Sequence, residues 1–241
     1  LLDSGVKLGE TELNEEQVAE KFADIAANLG ASTDADRAGI SLRTLSAQKE
    51  REAALALMRA VLSAPTFPAD ALAREKVRAA AAIQEADTRP DAIAGKRFQQ
   101  AIYPGHPYGV VPTVASVGAI TRDDVMTYWR SHFGARRAVV SIIGDVSRAE
   151  AEAIATRLTE ALPDAPAEAA LPAVTQPGRA EIKVAHPAMQ SHIHIGLPAI
   201  KRGDADFFPL LVGNYVLGGG GFVSRLMKEV REKRGLAYSV N

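Results

Sequence analysis

The chain has 241 residues, 47% of them hydrophobic, enough to bury one large core or two of medium size. Its 28 basic and 29 acidic side chains are interspersed and leave a net charge of −1, which gives no electrostatic case for a nucleic-acid or anionic-membrane partner. Cysteine is absent, which removes disulfide and thiolate chemistry, and no apolar run approaches the ~20 residues of a membrane-spanning helix.

The opening LLDSGVKLGE has neither the basic stretch nor the long apolar stretch of a signal peptide. With no initiator Met, and with a strand-like run at Asn241, the chain reads as a piece of a longer protein. Asn14 and Gln17 form a capping-box pattern, after which Val18, Phe22, Ile25 and Leu29 line one helical face, with Gly30 as the expected stop. Ile40, Leu42 and Thr44 alternate with Ser41 and Arg43, a half-buried strand.

A second helix is expected over about Gln48–Ser63, with Leu55, Met58 and Leu62 inward and Pro65 and Pro68 closing it. Ala69–Asp87 is an alanine-rich helix that must end before Pro90, because the residue preceding proline disfavours helix. Another covers about Asp91–Ile102, and YPGHPYG (103–109) is a compact turn-rich loop. Thr121 with Asp124 starts a further helix through Val125, Tyr128 and Trp129. Ala138–Ile143 reads as a continuous apolar strand, followed by Gly144–Asp145 and a helix to about Leu162.

Composition then changes. Residues 163–179, PDAPAEAALPAVTQPGR, hold four prolines without periodicity and read as an interdomain linker. Strands are expected at 181–185 and 191–197, then a helix over about Asp204–Leu217. The chain closes with LGGGGFVSRLMKEVREKRGLAYSV: four glycines, Gly218, Gly219, Gly220 and Gly221, an amphipathic helical run, Gly235 and an apolar tail carrying Tyr238. Strands and paired helices in irregular order argue α+β architecture, and the two halves share a partly similar order of elements.

Several chemistries find no support. The glycine run lacks the following Lys-Ser/Thr of a phosphate loop, and G-x-S-x-G does not occur. His192 and His194 have a spacing that can bind metal from one strand face, but no third ligand accompanies them. His106 reads as a loop-packing side chain. Considered alone, Arg231 and Tyr238 read as a solvated helix-end arginine and a strand tyrosine.

Six collinear segments together resemble the M16 zinc peptidase family, the pitrilysin and mitochondrial-processing-peptidase group. They are REKVRAAAAIQEADTRPDAI (74–93), YPGHPYG (103–109), ITRDDVMTYWRSHF (120–133), AVVSIIGDV (138–146), QSHIHIGLPAIKRGDADFFPLL (190–211) and GGGGFVSRLMKEVREKRGLAYSV (218–240). The resemblance implies an M16-like (LuxS/MPP-like) α+β domain over 1–162 lacking its opening strands and zinc-motif helix, a linker at 163–179, and the start of a second such domain over 180–241.

In active members a His-x-x-Glu-His helix binds zinc, with its Glu as general base, and a distal Glu completes the ligands. By the resemblance, that helix would lie before Leu1. The family's two glutamates lie seven apart on a later helix, about two turns and hence on one face; the second binds the metal. Glu75 matches the first, but the second position is Ala82, whose methyl group cannot ligate zinc. Glu85 lies about one turn further on, turned by roughly 60° around the helix.

The resemblance also implies that Arg231 and Tyr238, with Gly218–Gly221, hold substrate against a zinc site. A guanidinium and a phenol are directional donors suited to a peptide carbonyl or its oxyanion. The expectation is therefore a non-catalytic subunit with no metal of its own. It would serve a partner M16 subunit carrying His-x-x-Glu-His and zinc, with a peptide as substrate. Two alternatives stay open: a self-contained zinc metalloendopeptidase whose motif precedes Leu1, and a structural assembly subunit. The compartment is open, a bacterial periplasm being compatible with the resemblance.

Overall fold

The computed structural model describes residues 1–167 and 169–241; Glu168, within the expected linker, lies outside the described residues. The chain falls into two compact units, one formed by residues 1–173 and 179–194, the other by residues 174–178 and 195–241.

The first unit opens with an antiparallel hairpin of β1 (Gly5–Leu8) and β2 (Thr11–Asn14), registered Val6 to Leu13, with Gly9 turning at φ +63°. Helix α1 (Glu15–Asp24) follows directly. Asn14 accepts from the Gln17 amide at 2.9 Å, and the Gln17 side chain returns the bond to the Asn14 amide at 3.0 Å.

The expected helical stop at Gly30 is replaced by one four residues earlier. Ala26 takes a left-handed φ of +49°, its amide bonds Ala23 and the Ala27 amide bonds Phe22. This is the paired C-terminal bonding that satisfies the last carbonyls, with alanine in glycine's usual place. It frees Asn28 to begin β3 (Asn28–Thr33), which pairs antiparallel with β4 (Ala38–Arg43), Leu29 opposite Leu42 and Ala31 opposite Ile40. Leu29 thus reaches the core from a strand rather than from the end of a helix.

Helix α2 (Gln48–Ser63) has the expected span, yet the deepest face is Ala54, Leu57, Ala60 and Val61; Leu55 is buried, while Met58 and Leu62 are half-buried. The helix is apolar on more than one face, so spacing alone did not select the buried one. Val6, Leu13, Val18, Phe22, Leu57, Ala60 and Val61 form one core cluster, edged by Ile25, Leu29, Ile40 and Leu42. Each such aliphatic side chain contributes about 1.5–3 kcal/mol by leaving water.

The connector from α2 to α3 (Ala69–Ala86) is held from several directions. Pro65 bridges Val6, the Thr66 amide donates to Gly5 at 2.8 Å, and the Lys7 amide donates to Ala64 at 3.0 Å. Buried Phe67 sits at φ +46°, a strained conformation for a non-glycine residue. After α4 (Pro90–Ile102), a short helix α5 (Val114–Ala119), not expected from the sequence, is capped reciprocally by Thr113 and Ser116.

Helix α6 (Arg122–His132) returns to the connector. Arg122 donates to the Phe67 and Thr66 carbonyls at 2.9 and 2.7 Å, and the Trp129 indole donates to Leu62 at 3.0 Å. Helix α7 (Arg148–Thr159) is tied to α2 by the ion pairs Arg157–Glu52, Arg51–Glu150 (3.5 Å) and Arg59–Glu160 (3.0 Å).

The strands expected at 138–143, 181–185 and 191–197 are not formed among the described residues. Those runs have the right side chains, but an apolar alternation becomes a strand only when a neighbouring chain supplies its ladder. Val139, Ile143, Ile193 and Ile195 remain 80–100% exposed. No helix of the described residues is long and apolar enough to cross a membrane.

Candidate functional site

The second unit carries the glycine run. Helix α8 (Phe207–Asn214) is shorter than expected and widens at its end into a π-helical turn, Tyr215–Gly219, in which the Gly220 amide donates to Tyr215 at 2.8 Å. Three of the four glycines have an identifiable reason; at Gly220 a Cβ would come within 3.0 Å of the Tyr215 carbonyl oxygen. Gly221 turns the chain at φ +60°, a conformation that an L side chain adopts only at a cost. Gly218 is buried, and a Cβ there would come within 2.8 Å of the Asn241 carbonyl carbon and 3.2 Å of Leu226 Cδ1. At Gly219, by contrast, the nearest atom to such a Cβ is 3.7 Å away.

The turn delivers the chain to Ser224, whose side chain is fully buried. Its backbone is extended and its Oγ accepts from the Met227 amide at 3.4 Å, starting the helical run Arg225–Glu232. From Met227 this run is π-helical; it ends as the Gly235 amide donates to Arg231 at 2.9 Å, with Gly235 at φ +62°.

These backbone features bring together side chains that lie far apart in sequence. The Arg231 guanidinium carbon is 4.8 Å from the centre of the Phe222 ring and 5.3 Å from that of Tyr238. A cation over aromatic faces is attracted by their quadrupoles, by about 0.5–1 kcal/mol at exposed sites. Tyr238 lies in no strand among the described residues, and it and Phe222 are largely exposed, whereas Arg231 is half-buried. Phe222 was not singled out from the sequence. The available signal was its position, an aromatic side chain directly after a glycine run.

Charge is sorted around the cluster. Glu229 accepts from Lys233 at 2.6 Å and Arg234 at 3.1 Å, and the Lys233 bond, then the Arg234 bond, holds its carboxyl below the ordinary carboxylate range. Arg225, Lys228 and Arg231 make no carboxylate ion pair among the described residues.

On α3, Glu75 is paired with Arg78 at 2.6 Å, and Ala82 and Glu85 are exposed. Among the described residues no group of three or more His, Cys, Asp or Glu side chains is arranged to hold a metal ion. Where the family resemblance expects the distal ligand, the side chain is the Ala82 methyl, which cannot ligate zinc.

Two of the candidate histidines, His106 and His194, have partners within the first unit. His106 is buried, accepts from the Tyr108 amide at Nδ1 (3.1 Å) and is bonded through Nε2 to the Pro172 carbonyl (3.1 Å), which fixes a neutral ring with its proton on Nε2. Tyr108 in turn donates to Asp36 at 2.5 Å, and this carboxylate, ahead of the effect of burial, raises the phenol's pKa. The His194 ring lies 5.4 Å from that of Phe98.

Residues 119–241 match the family model described as peptidase M16 inactive domain. An uncharacterized zinc protease of Streptomyces coelicolor is 36% identical over 139 residues, 54% of this chain and 30% of the relative. The non-peptidase homolog YmxG of Helicobacter pylori is 26% identical over 235 residues, 96% of this chain and 54% of the relative. The chain therefore spans about half, or less, of the length of these curated relatives.

Among solved structures, a peptidase M16 inactive domain from Pseudomonas fluorescens matches with a TM-score of 0.85 and 35% identity, covering 99% of this chain and 57% of that one. A protease of Helicobacter pylori matches in fold, with a TM-score of 0.74 and 18% identity, over 99% of this chain and 58% of that one. The α+β architecture is thus that of M16 structures, and with more than half its length inside the inactive-domain model the chain belongs to the M16 peptidase family.

Proposed function

We propose that this chain is a non-catalytic part of a heteromeric M16 zinc peptidase. It holds an extended peptide at the Gly218–Gly221 turn with Arg231 and Tyr238, and a partner M16 subunit carrying His-x-x-Glu-His supplies the zinc. The observation that carries this reading is the Arg231 guanidinium poised over Phe222 and Tyr238 beside a glycine turn, with no carboxylate among the described residues occupying its donors. Glycines at the turn let a peptide backbone approach without meeting side chains. Arginine and tyrosine donors hold the peptide carbonyl by hydrogen bonds that strengthen as charge develops on its oxygen. Ala82 at the distal ligand position supports a metal held elsewhere.

The test is reconstitution with the zinc-bearing partner. Arg231→Ala and Tyr238→Phe each lower peptide turnover by about 100–1,000-fold, as loss of an oxyanion donor does, with the zinc content of the pair unchanged. If neither variant alters turnover, the substrate-holding role is wrong and a structural assembly subunit is the better reading. If the protein without its partner carries stoichiometric zinc and hydrolyses peptides, it is a self-contained metalloendopeptidase.

A further inference from the structure

The helical segment Arg225–Arg234 carries five basic and two acidic side chains. One of the acids, Glu229, is fully engaged by Lys233 and Arg234, and these basic groups spend their charge on it. Arg225, Lys228 and Arg231 are left without carboxylate partners among the described residues. Of these three, Arg231 differs in being half-buried and fixed, its guanidinium lying over the Phe222 and Tyr238 rings at 4.8 and 5.3 Å.

Ring faces attract the guanidinium but accept none of its in-plane N–H donors in ordinary hydrogen bonds. Those donors form a planar fork whose best complement is a carboxylate held by two parallel bonds; a neutral carbonyl or amide oxygen is the weaker partner. Lysine at the same place would offer a point charge without this geometry.

Building on the peptide-holding reading above, we infer that this site selects peptides carrying a carboxylate, with Arg231 as the reading group. Phe222 is a positioning residue: it touches Arg231 and fixes where the fork points. Arg225 and Lys228 add a longer-range attraction for acidic peptide that weakens as salt rises.

The experiment uses the full chain and pairs of fluorescein-labelled neutral dodecapeptides that are identical except for one central Glu or Gln, with affinity read by fluorescence anisotropy at low and at physiological salt. In the wild type the Glu peptide binds about two- to fivefold more tightly than its Gln twin, a partly exposed charge pair being screened. That ratio falls to about one in Arg231→Gln. It falls toward one in Phe222→Leu and returns in Phe222→Tyr, which keeps a ring face; a merely structural role for Phe222 would weaken both peptides equally and leave the ratio alone.

Equal binding of Glu and Gln peptides by the wild type overturns the carboxylate selectivity while leaving peptide holding intact. Binding of neither peptide at millimolar concentration overturns the peptide-holding reading, and this inference with it. A ratio that survives Arg231→Gln removes Arg231 as the reader.

Discussion

Replacing the glycines of the turn one at a time by alanine separates positions that the sequence presents as equivalent. Gly221 sits at φ +60° in open space, so a methyl there meets no atom but places an L residue in the left-handed region, costing about 1–2 kcal/mol. At Gly218 the methyl would meet the Asn241 backbone at 2.8 Å and Leu226 at 3.2 Å, an overpacking cost of about 1–3 kcal/mol. At Gly219 the nearest atom is 3.7 Å away and the residue ends a helical turn, so alanine is neutral or stabilises by up to about 1 kcal/mol.

Native-state amide hydrogen exchange reads these differences locally. The Met227 and Lys228 amides bond Ser224 Oγ and the Ser224 carbonyl at 3.4 and 3.1 Å, directly after the turn. Their exchange rises about five- to thirtyfold in Gly221→Ala and is unchanged or slower in Gly219→Ala. Equal acceleration by both substitutions would refute the account, because it would make the run a generic flexible hinge.

Three further outcomes follow from the first unit. Leu57→Ala empties a buried position of the main cluster and lowers stability to urea by about 2–5 kcal/mol, while Val77→Ala, on the exposed face of α3, stays within about 0.5 kcal/mol. Asn14→Ala removes the capping box of α1 and costs about 1 kcal/mol by the same assay.

The Arg157 bond, opposed by burial and supported by the charges of Arg157 and Arg51, holds the Glu52 carboxyl below its ordinary value. A folded-state value below the unfolded one means the stabilisation is complete above the usual carboxylate range, near pH 4.5, and is lost as pH falls through the lowered value. Both side chains are more than a third exposed, so a Glu52→Gln/Arg157→Met double-mutant cycle gives a coupling of at most about 1 kcal/mol at pH 7. The coupling is lost as pH falls through the lowered carboxyl value.

How much of this was legible depended on whether the deciding interaction was local. The helices α2, α3, α4 and α6 were readable because proline, alanine content and cap pairs such as Thr121–Asp124 act within a few residues. The stop of α1 was not, since nothing in Ala26 itself announces a left-handed residue; its conformation follows from turning the chain toward β4. The apolar runs at 138–143 and 191–197 have strand composition, but pairing is a property of two segments. The same limit hid Phe222: the motif displayed Arg231 and Tyr238, but a cluster made by three residues across a turn exists only once the backbone is placed.

The connector between α2 and α3 has a consequence for how the protein is made. Its carbonyls at Leu62, Thr66 and Phe67 receive their donors from Trp129 and Arg122, 55 to 67 residues downstream. A ribosome adding about 5–20 residues per second needs roughly 3–13 s to reach them. Throughout that interval the nascent chain holds the hairpin β1–β2 and helices α1 and α2 complete, yet the strained Phe67 corner lacks its clamp. A chaperone or protease meeting the growing chain would find its soft point at this corner, and Arg122 would close it from a distance.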